Sequence, residues 1–308
     1  MAKRRRGRPV HGILVLDKPI DKSSNWALQV AKAIYNAQKA GHTGSLDPLA
    51  TGVLPLCFGE ATKFSQYLLN ANKAYRSTFT LGVTTASGDA EGKVLTAEPA
   101  GHISEQQVLA MLDQFRGSIE QVPSMYSALK HEGQPLYKLA RKGLEVERKS
   151  RRVEIFTLEL EAYRAGEYPE IDVYIECSKG TYVRSIAEDL GAALGCGAHV
   201  SMLNRTGAGP FVASQSVSLA ELQVLRDREA FDELDALLQP VDQALGHLPA
   251  VTLSEAAVDY IKQGQPVMVP KAPSDSEFKL YSEQGSFLGI GELNDDGLVK
   301  PRRLIATN

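Results

Sequence analysis

The segment from residue 41 to residue 55 places one carboxylate, Asp47, among glycines, small hydroxyls and prolines: GHTGSLDPLATGVLP. The residue before a proline is disfavoured in helical conformation, so Asp47 is expected in an extended or turn conformation. Gly41, Gly44 and Gly52 permit close approach of another backbone and positive φ angles. The segment therefore predicts a rigid loop that presents an acid. An Asx turn that caps a following helix explains the same residues equally well.

Two further motifs accompany this loop, GILVLDKP at 12–19 and CSKGTYVR at 177–184. The three motifs stand in the same order as in the TruB family of bacterial tRNA pseudouridine synthases, and the chain resembles that family over nearly its whole length. Three separated motifs in order are much less easily matched by chance than one short pattern. The resemblance implies that uridine 55 in the TΨC loop of tRNA is converted to pseudouridine, with Asp47 as the catalytic aspartate.

Length and composition agree with such an enzyme. A chain of 308 residues with 43% hydrophobic residues can bury a substantial core and exceeds one typical domain. No apolar run approaches the length of a membrane span, and no signal-type cleavage site follows the basic N-terminus, so we expect a cytoplasmic protein without membrane contact. The three cysteines, Cys57, Cys177 and Cys196, fit neither a disulfide framework nor a zinc site.

Charge is unevenly distributed, although the net charge is only −3. Residues 1–80 contain 12 basic and 4 acidic residues, residues 130–152 contain 8 and 3, and residues 217–260 contain 2 and 9. A basic face that meets phosphate, with acidity elsewhere, produces this pattern. We expect residues 1–9 to form a basic, disordered and solvated tail. Such a tail can contact RNA while it remains disordered.

Periodicity predicts an α+β fold. A short apolar run at 13–16 and alternating residues at 75–81, 152–160 and 171–177 indicate strands. Helices are indicated from Ser23 or Ser24 to about Ala37, from the capping box at 104–107 towards Gly117, and around 186–194 before Gly195. Strands and helices do not alternate strictly, which favours a mixed sheet flanked by helices over a doubly wound parallel sheet. With the resemblance, this is a pseudouridine-synthase-type core over residues 10–245.

A second, smaller unit is expected at residues 250–308, after a boundary between Pro240 and Pro249. Strand-like segments at 278–281, 287–293 and 298–304 are separated by turn residues and indicate a small barrel or sandwich. The Gly264–Val267 turn and the Pro301–Arg303 segment resemble the PUA type of RNA-binding module. A β appendage without a known role remains the alternative, because small barrels host many functions.

The chemistry that the resemblance implies breaks the bond between N1 and C1′, turns the uracil and joins C5 to C1′. A carboxylate can attack the sugar or the base, or stabilise positive charge at C1′, and the sequence does not choose between these roles. A buried carboxylate needs a cationic partner to stay ionised. Arg184 matches the family's arginine, so we predict an ion pair between Asp47 and Arg184. A surface arginine at a helix start is the alternative.

Other site residues also follow from the resemblance. An extruded base is commonly held by aromatic stacking, and the residues that match the family's base pocket are Tyr75, Tyr182 and Leu203. Tyr75 is a candidate to remove the C5 proton, although a tyrosine on a strand is more often a core residue. His42 matches a histidine that contacts the RNA loop. Since no other His or Cys lies at metal-binding spacing, we predict no metal and no cofactor.

Three more residues are assigned to RNA binding, namely Lys18, Asp89 and Lys130. Lys130 belongs to the segment 124–152, which resembles the family's tRNA-gripping insertion and predicts a short helix with a basic face. An ordinary solvated helix is the alternative. The partner is tRNA, and one chain is expected to act as a monomer. Two positions depart from the family's pattern: Ala86 replaces a common aspartate, and Asn204 replaces a common arginine.

Two other functions remain open at this point. Basic patches and a PUA-like module also suit an RNA-binding protein without catalysis. A carboxylate-based sugar hydrolase needs a second carboxylate, and none lies within the Asp47 loop itself. Neither a P-loop nor a dinucleotide fingerprint is present, which argues against a nucleotide-dependent enzyme.

Overall fold

The computed structural model describes residues 7–127, 129–274 and 277–306. Its strands are β1 (Gly12–Lys18), β2 (Ala40–His42), β3 (Thr51–Phe58), β4 (Lys73–Leu81), β5 (Val83–Thr85), β6 (Val94–Ala97), β7 (Gly117–Gln121), β8 (Lys130–His131), β9 (Gln134–Pro135), β10 (Arg151–Arg164), β11 (Glu170–Cys177), β12 (Ala198–Ala208), β13 (Phe211–Val212), β14 (Val217–Ser218), β15 (Ala250–Leu253), β16 (Phe278–Ser282), β17 (Phe287–Leu293) and β18 (Val299–Leu304).

The α-helices are α1 (Ser24–Ile34), α2 (Ser65–Asn70), α3 (Glu105–Leu112), α4 (Leu136–Ala140), α5 (Val183–Ala193), α6 (Leu219–Asp227), α7 (Phe231–Ala236) and α8 (Glu255–Lys262). Short 3₁₀ helices cover Gly59–Lys63, Asp113–Phe115, Ala213–Gln215 and Val241–Leu245. No helix in the described parts of the chain is long and apolar enough to span a bilayer.

A mixed sheet forms the centre of the molecule, with the strand order β14-β1-β3-β12-β4-β11-β10-β7. The pairs β1–β14 and β3–β12 are parallel, whereas the other neighbours on this path are antiparallel. Successive residues of a strand face opposite sides, so β1 sends Leu14 and Leu16 into one core and Ile13 and Val15 into another. The α+β class predicted from the sequence is confirmed.

The sequence predicted most of these elements with small errors at their ends. Ser23 caps α1 by accepting a hydrogen bond from the Trp26 N–H, and Ser104 and Gln107 form the capping box of α3. Helix α1 ends at Ile34 rather than near Ala37, because Asn36 adopts a left-handed φ of 50° that no helix continues. Helix α3 ends at Leu112, and a 3₁₀ turn covers the remaining residues before Gly117.

The C-terminal unit contains the three predicted strands, β16, β17 and β18, and a fourth, β15, in the order β15-β16-β17-β18. This small sheet packs on the body of the molecule. Ile290 joins the core that Ile13 and Phe64 share, and the rings of Phe64 and Phe287 lie 5.7 Å apart. The Lys63 ammonium also donates to the Leu304 carbonyl at 2.9 Å.

Residues 1–6 of the predicted basic tail lie outside the described residues. The remainder is paired with the body, because Arg8 forms a β-bridge with Ala37 and an ion pair with Asp235 at 2.5 Å. The predicted helix of the 124–152 segment is α4, which buries Leu136 and leaves Lys138 exposed.

We predict that Gly52→Ala destabilises the fold strongly, whereas Gly41→Ala does not. Gly52 has a φ of +96°, and a Cβ there would lie 2.3 Å from the Arg205 carbonyl oxygen. Gly41 has no atom within 4 Å of such a Cβ. Overpacking and the unfavourable φ together should lower the free energy of unfolding by about 3 kcal/mol. Denaturant unfolding of both variants measures this difference, and equal stabilities would contradict the packing described.

Candidate active site

Asp47 lies in the loop between β2 and β3, as the Asp-Pro sequence predicted. The Leu46 N–H donates to the Ser24 hydroxyl at 2.7 Å, and that hydroxyl donates to the Leu46 carbonyl at 3.1 Å. On the other side of Asp47, the Pro48 carbonyl accepts from the Asp21 N–H at 2.9 Å. A strand follows the loop, not a helix, so the alternative of a helix-capping Asx turn is wrong.

Gly44 and Gly52 both have positive φ angles, as expected for this loop. Gly41 does not, and it lies in open space within β2, so no other backbone approaches it closely in the described structure.

The predicted ion pair between Asp47 and Arg184 is confirmed, with Nη2 and Oδ2 separated by 2.9 Å. Arg184 is the second residue of α5, yet its side chain is only 4% exposed, so the alternative of a surface arginine is wrong. The Asp47 side chain keeps 41% of its surface exposed. The carboxylate is therefore anchored on the protein side and open to a ligand on the other.

The Arg184 side chain contacts three separate segments. Besides Asp47, its guanidinium donates to the carbonyls of Ser87 at 2.7 Å and Tyr126 at 2.9 Å, and it lies 3.5 Å from the Asp89 carboxylate. Asp89 is itself buried, and its Oδ1 accepts from the Ser87 hydroxyl and the Glu91 N–H. Asp89 thus acts on the site through Arg184.

Burial dominates the titration of Asp47. Removal from water raises the pKa of this carboxyl, the Arg184 charge opposes that rise, and the Asp89 charge adds to it. The net direction is upward. The cation therefore makes ionisation of a desolvated acid possible without lowering its pKa below the ordinary range.

Lys18 is fully buried at the end of β1. Its ammonium donates to the carbonyls of Pro19 at 2.8 Å and Pro48 at 3.3 Å, and to the Lys22 carbonyl. Burial lowers the pKa of Lys18 to about 8, although the Asp47 charge opposes this. The structure thus places Lys18 against the Asp47 loop, where its ammonium donates to the Pro48 carbonyl directly after Asp47.

Tyr75, Tyr182 and Leu203 come from three different elements. Tyr75 on β4 lies directly opposite Arg205 on β12, and Leu203 is nearly buried two residues before Arg205. Burial raises the pKa of Tyr75, and the Arg205 charge opposes that rise. The Asp47 charge makes a smaller contribution that also raises the pKa of Tyr75.

Tyr182 precedes α5 and is held from two sides. The Gln121 amide accepts from its N–H at 3.0 Å and donates to its carbonyl at 3.2 Å. The Arg151 guanidinium lies 4.6 Å from the centre of its ring.

His42 on β2 is partly buried. Burial lowers its pKa, with the Arg205 charge acting in the same direction, so the imidazole is neutral at pH 7. Its Nδ1 has no hydrogen-bond partner among the described residues. Lys130 is exposed on the β8–β9 hairpin, and no hydrogen bond or ion pair between described residues joins it to Asp47.

Sequence reasoning missed Arg205 and Gln121 as supports of the site. Arg205 is 1% exposed, and its Nε donates to the Val53 carbonyl at 2.7 Å. The sequence held a usable signal, because Arg205 lies two residues after Leu203 and therefore on the same face of the strand, and a charge on a buried face is rarely without a partner. Gln121 carried no such signal.

The departure at Asn204 also has a structural explanation. Its amide donates to the Thr51 hydroxyl on the neighbouring strand β3 at 2.8 Å. Asparagine, which is shorter than the arginine common in the family, thus forms a hydrogen bond between two strands of the sheet. Nothing in the structure explains Ala86. Across residues 7–127, 129–274 and 277–306, no three His, Cys, Asp or Glu side chains are grouped as a metal site.

Comparison with known proteins decides the family. Residues 32–183 match the model of the TruB family pseudouridylate synthase N-terminal domain, residues 184–246 that of the tRNA pseudouridylate synthase B C-terminal domain, and residues 249–305 that of the pseudouridine synthase II TruB C-terminal region. The tRNA pseudouridine synthase B of Stutzerimonas stutzeri is 56% identical over 97% of this chain and 96% of its own. This chain belongs to the TruB family.

A second relative, the tRNA pseudouridine synthase B of Coxiella burnetii (strain Dugway 5J108-111), is 50% identical over 97% of this chain and 96% of its own. Among solved structures, a chain from an H/ACA RNP bound to a substrate RNA containing 2′-deoxyuridine matches with a TM-score of 0.72 at 22% identity, covering 100% of this chain and 92% of that one. A chain from a Cbf5-Nop10-Gar1 complex gives 0.70 at 24%, covering 97% and 84%. These two likenesses show that the fold is shared.

We predict that the Asp47 carboxyl titrates above its ordinary pKa of 3.8 and that Arg184→Gln moves it higher still. Burial remains in the variant while the opposing cation is removed. The matched control is Arg76→Gln, which removes an exposed cation that pairs with Glu161 at 2.9 Å and should leave Asp47 unchanged. Carbon-13 NMR titration measures all three, with thermal unfolding to verify that each protein is folded. A wild-type pKa at or below 3.8 would contradict the dominance of burial.

Proposed function

We propose that this protein converts uridine 55 in the TΨC loop of tRNA to pseudouridine, with Asp47 as the catalytic carboxylate. The observation that carries this proposal is the Asp47–Arg184 pair, which lies within a chain that matches tRNA pseudouridine synthases along nearly its whole length. The pair leaves the carboxylate accessible while it fixes its position. A uridine delivered to this point meets a charged, oriented acid.

The reaction is an isomerisation, so the site needs no redox group and no water as reactant. The N1–C1′ bond breaks, the uracil turns, C5 bonds to C1′, the C5 proton leaves, and N1 takes up a proton, so the composition of the nucleoside does not change. The Asp47 carboxylate either forms a covalent bond with the sugar or base, or stabilises positive charge as it develops at C1′. Both roles require the ionised form that Arg184 supports.

Tyr75, Tyr182 and Leu203 supply the chemistry of a base pocket. A uracil extruded from an RNA loop leaves its stacking partners, and an aromatic ring with an aliphatic neighbour replaces them. We assign receipt of the C5 proton to Tyr75, which must itself be deprotonated to accept it; burial raises the pKa of this phenol, and the Arg205 charge opposes that rise. Arg205 acts through Tyr75 as a positioning residue, since it faces the phenol from the adjacent strand. Lys18 likewise positions the loop rather than touching the base.

Asp89 does not supply the second carboxylate that a sugar hydrolase needs. Its oxygens already contact the Ser87 hydroxyl, the Glu91 N–H and the Arg184 guanidinium. These contacts suit a residue that orients Arg184. We therefore assign Asp89 no role in transferring a proton to or from the substrate.

The RNA-binding surface combines His42, the 124–152 insertion and the C-terminal sheet. Lys130, Lys138, Arg141 and Lys142 of the insertion are all exposed and available to phosphate. Residues 10–245 then form the catalytic unit and residues 250–308 a PUA-like module. A tRNA-modifying enzyme acts where tRNA matures, which supports a cytoplasmic location, and we expect one chain to act as a monomer.

Replacing Asp47 by Asn should abolish catalysis and leave tRNA binding in place. The amide keeps the shape of the side chain but cannot supply negative charge, so release of tritium from C5-labelled uridine should fall by at least about a thousandfold. A filter-binding assay on the same protein gives the affinity. Normal tritium release by the variant would refute the role of Asp47. Absence of release from the wild-type enzyme, with binding intact, would instead favour a non-catalytic RNA-binding protein.

Removing positive charge from the insertion should weaken tRNA binding and reduce its dependence on salt. For each side chain that no longer neutralises a phosphate, the slope of log affinity against log salt should become shallower by roughly 0.7 to 0.9. Arg141→Ala is compared with Arg228→Ala, which removes an exposed arginine from the acidic segment 217–260. Equal slopes for the two variants and the wild type would argue against the insertion as an RNA-binding element.

A further inference from the structure

The only tryptophan of the chain, Trp26, is left outside the hydrophobic core. It lies in the first turn of α1 with 43% of its surface exposed, whereas Ala27, Leu28 and Ala31 of the same helix are buried. A large apolar ring in water forgoes the free energy of burial, so its exposure suggests a partner that covers it.

A positive charge accompanies the ring. The Lys22 ammonium lies 5.3 Å from the centre of the Trp26 ring system, and Ile20 beside it is 55% exposed. An aromatic face with a neighbouring cation suits single-stranded nucleic acid, because the ring stacks on a base while the cation pairs with phosphate.

This surface, residues 20–26, is fixed to the catalytic loop. The Asp21 N–H bonds to the Pro48 carbonyl at 2.9 Å, and the Ser24 hydroxyl accepts from the Leu46 N–H at 2.7 Å. These hydrogen bonds reach the residues on either side of Asp47. Lys18 adds a third connection, because its ammonium donates to the carbonyls of both Lys22 and Pro48. The backbone just before Trp26 is therefore tied to the loop that carries Asp47.

We propose that the 20–26 surface binds an unpaired base of the same RNA loop that delivers the target uridine. Trp26 stacks on that base, and Lys22 pairs with an adjacent phosphate. This inference rests on the proposed function, which supplies the RNA. The 20–26 surface would be a second RNA contact outside the pocket that receives the flipped uracil. It would contribute to RNA affinity without taking part in the reaction.

Because Trp26 is the only tryptophan, the intrinsic tryptophan fluorescence of the full chain reports this residue alone. Titration with an unmodified TΨC stem-loop should quench it in a saturable way, and an intact tRNA transcript should quench to the same extent. Fluorescence that stays unchanged at saturating RNA would overturn the proposal. Quenching by intact tRNA but not by the stem-loop would overturn the assignment to the loop.

The energetic test compares Trp26→Leu with Phe156→Leu, a similarly exposed aromatic on β10 that is 51% exposed. Without the stacked base, Kd and KM for the stem-loop should rise about tenfold in Trp26→Leu, with kcat retained, and Trp26→Phe should recover part of the affinity. Phe156→Leu should bind as the wild type does. Wild-type affinity in Trp26→Leu would overturn the proposal, even if fluorescence changes. Pseudouridine formation by the wild-type enzyme, measured alongside, separates this failure from failure of the proposed function.

Discussion

The active site depends on the neutralisation of one buried cation, the Arg184 guanidinium. A charge removed from water is costly unless it is paired and hydrogen-bonded. Two carboxylates and two backbone carbonyls meet that requirement here, and they come from the Asp47 loop, the 87–89 segment and the 124–152 insertion. Without any one of these partners, the guanidinium is less well compensated. The position of Asp47 is thus determined by the folding of distant segments, which gives a loop residue the rigidity of a core residue.

Buried cations that donate hydrogen bonds to backbone carbonyls also occur beneath the site. Lys18 and Arg205 are buried cations that donate to backbone carbonyls, namely those of Pro19, Pro48 and Val53. Each joins a strand of the central sheet to the loop or strand beside it. Buried charges are a poor way to gain stability, but they fix geometry because only a few arrangements satisfy all their hydrogen bonds. The central sheet provides the rigid support, and the buried side chains of Lys18 and Arg205 hold the Asp47 loop and strand β3 in place on it.

Prediction from sequence succeeded where the determinants are local. Capping residues located the starts of α1 and α3, alternation located β11, and the Asp-Pro pair located the catalytic loop. The Asp47–Arg184 pair was predicted only through the resemblance to the TruB family, because the residues alone favour a surface arginine at the start of a helix. The end of α1 was missed because Asn36 adopts a left-handed conformation that only the tertiary context reveals. Gln121 was missed because a clamp on the Tyr182 backbone depends on the pairing of distant segments.

The central claim is that the Asp47 carboxylate contacts an everted uridine, at its sugar or at its base. A crystal structure of the enzyme with a TΨC stem-loop that carries 5-fluorouridine at the target position tests this most directly, because the C5–F bond cannot lose a proton. The account predicts that the nucleotide is turned out of the loop and that its ring or the rearranged product lies against Tyr75. It also predicts that C1′ or a carbon of the uracil ring lies about 3 to 3.5 Å from the Asp47 carboxylate, unless a covalent bond has formed. A target nucleotide still stacked within the RNA, or bound away from Asp47 in a fully occupied complex, would contradict it.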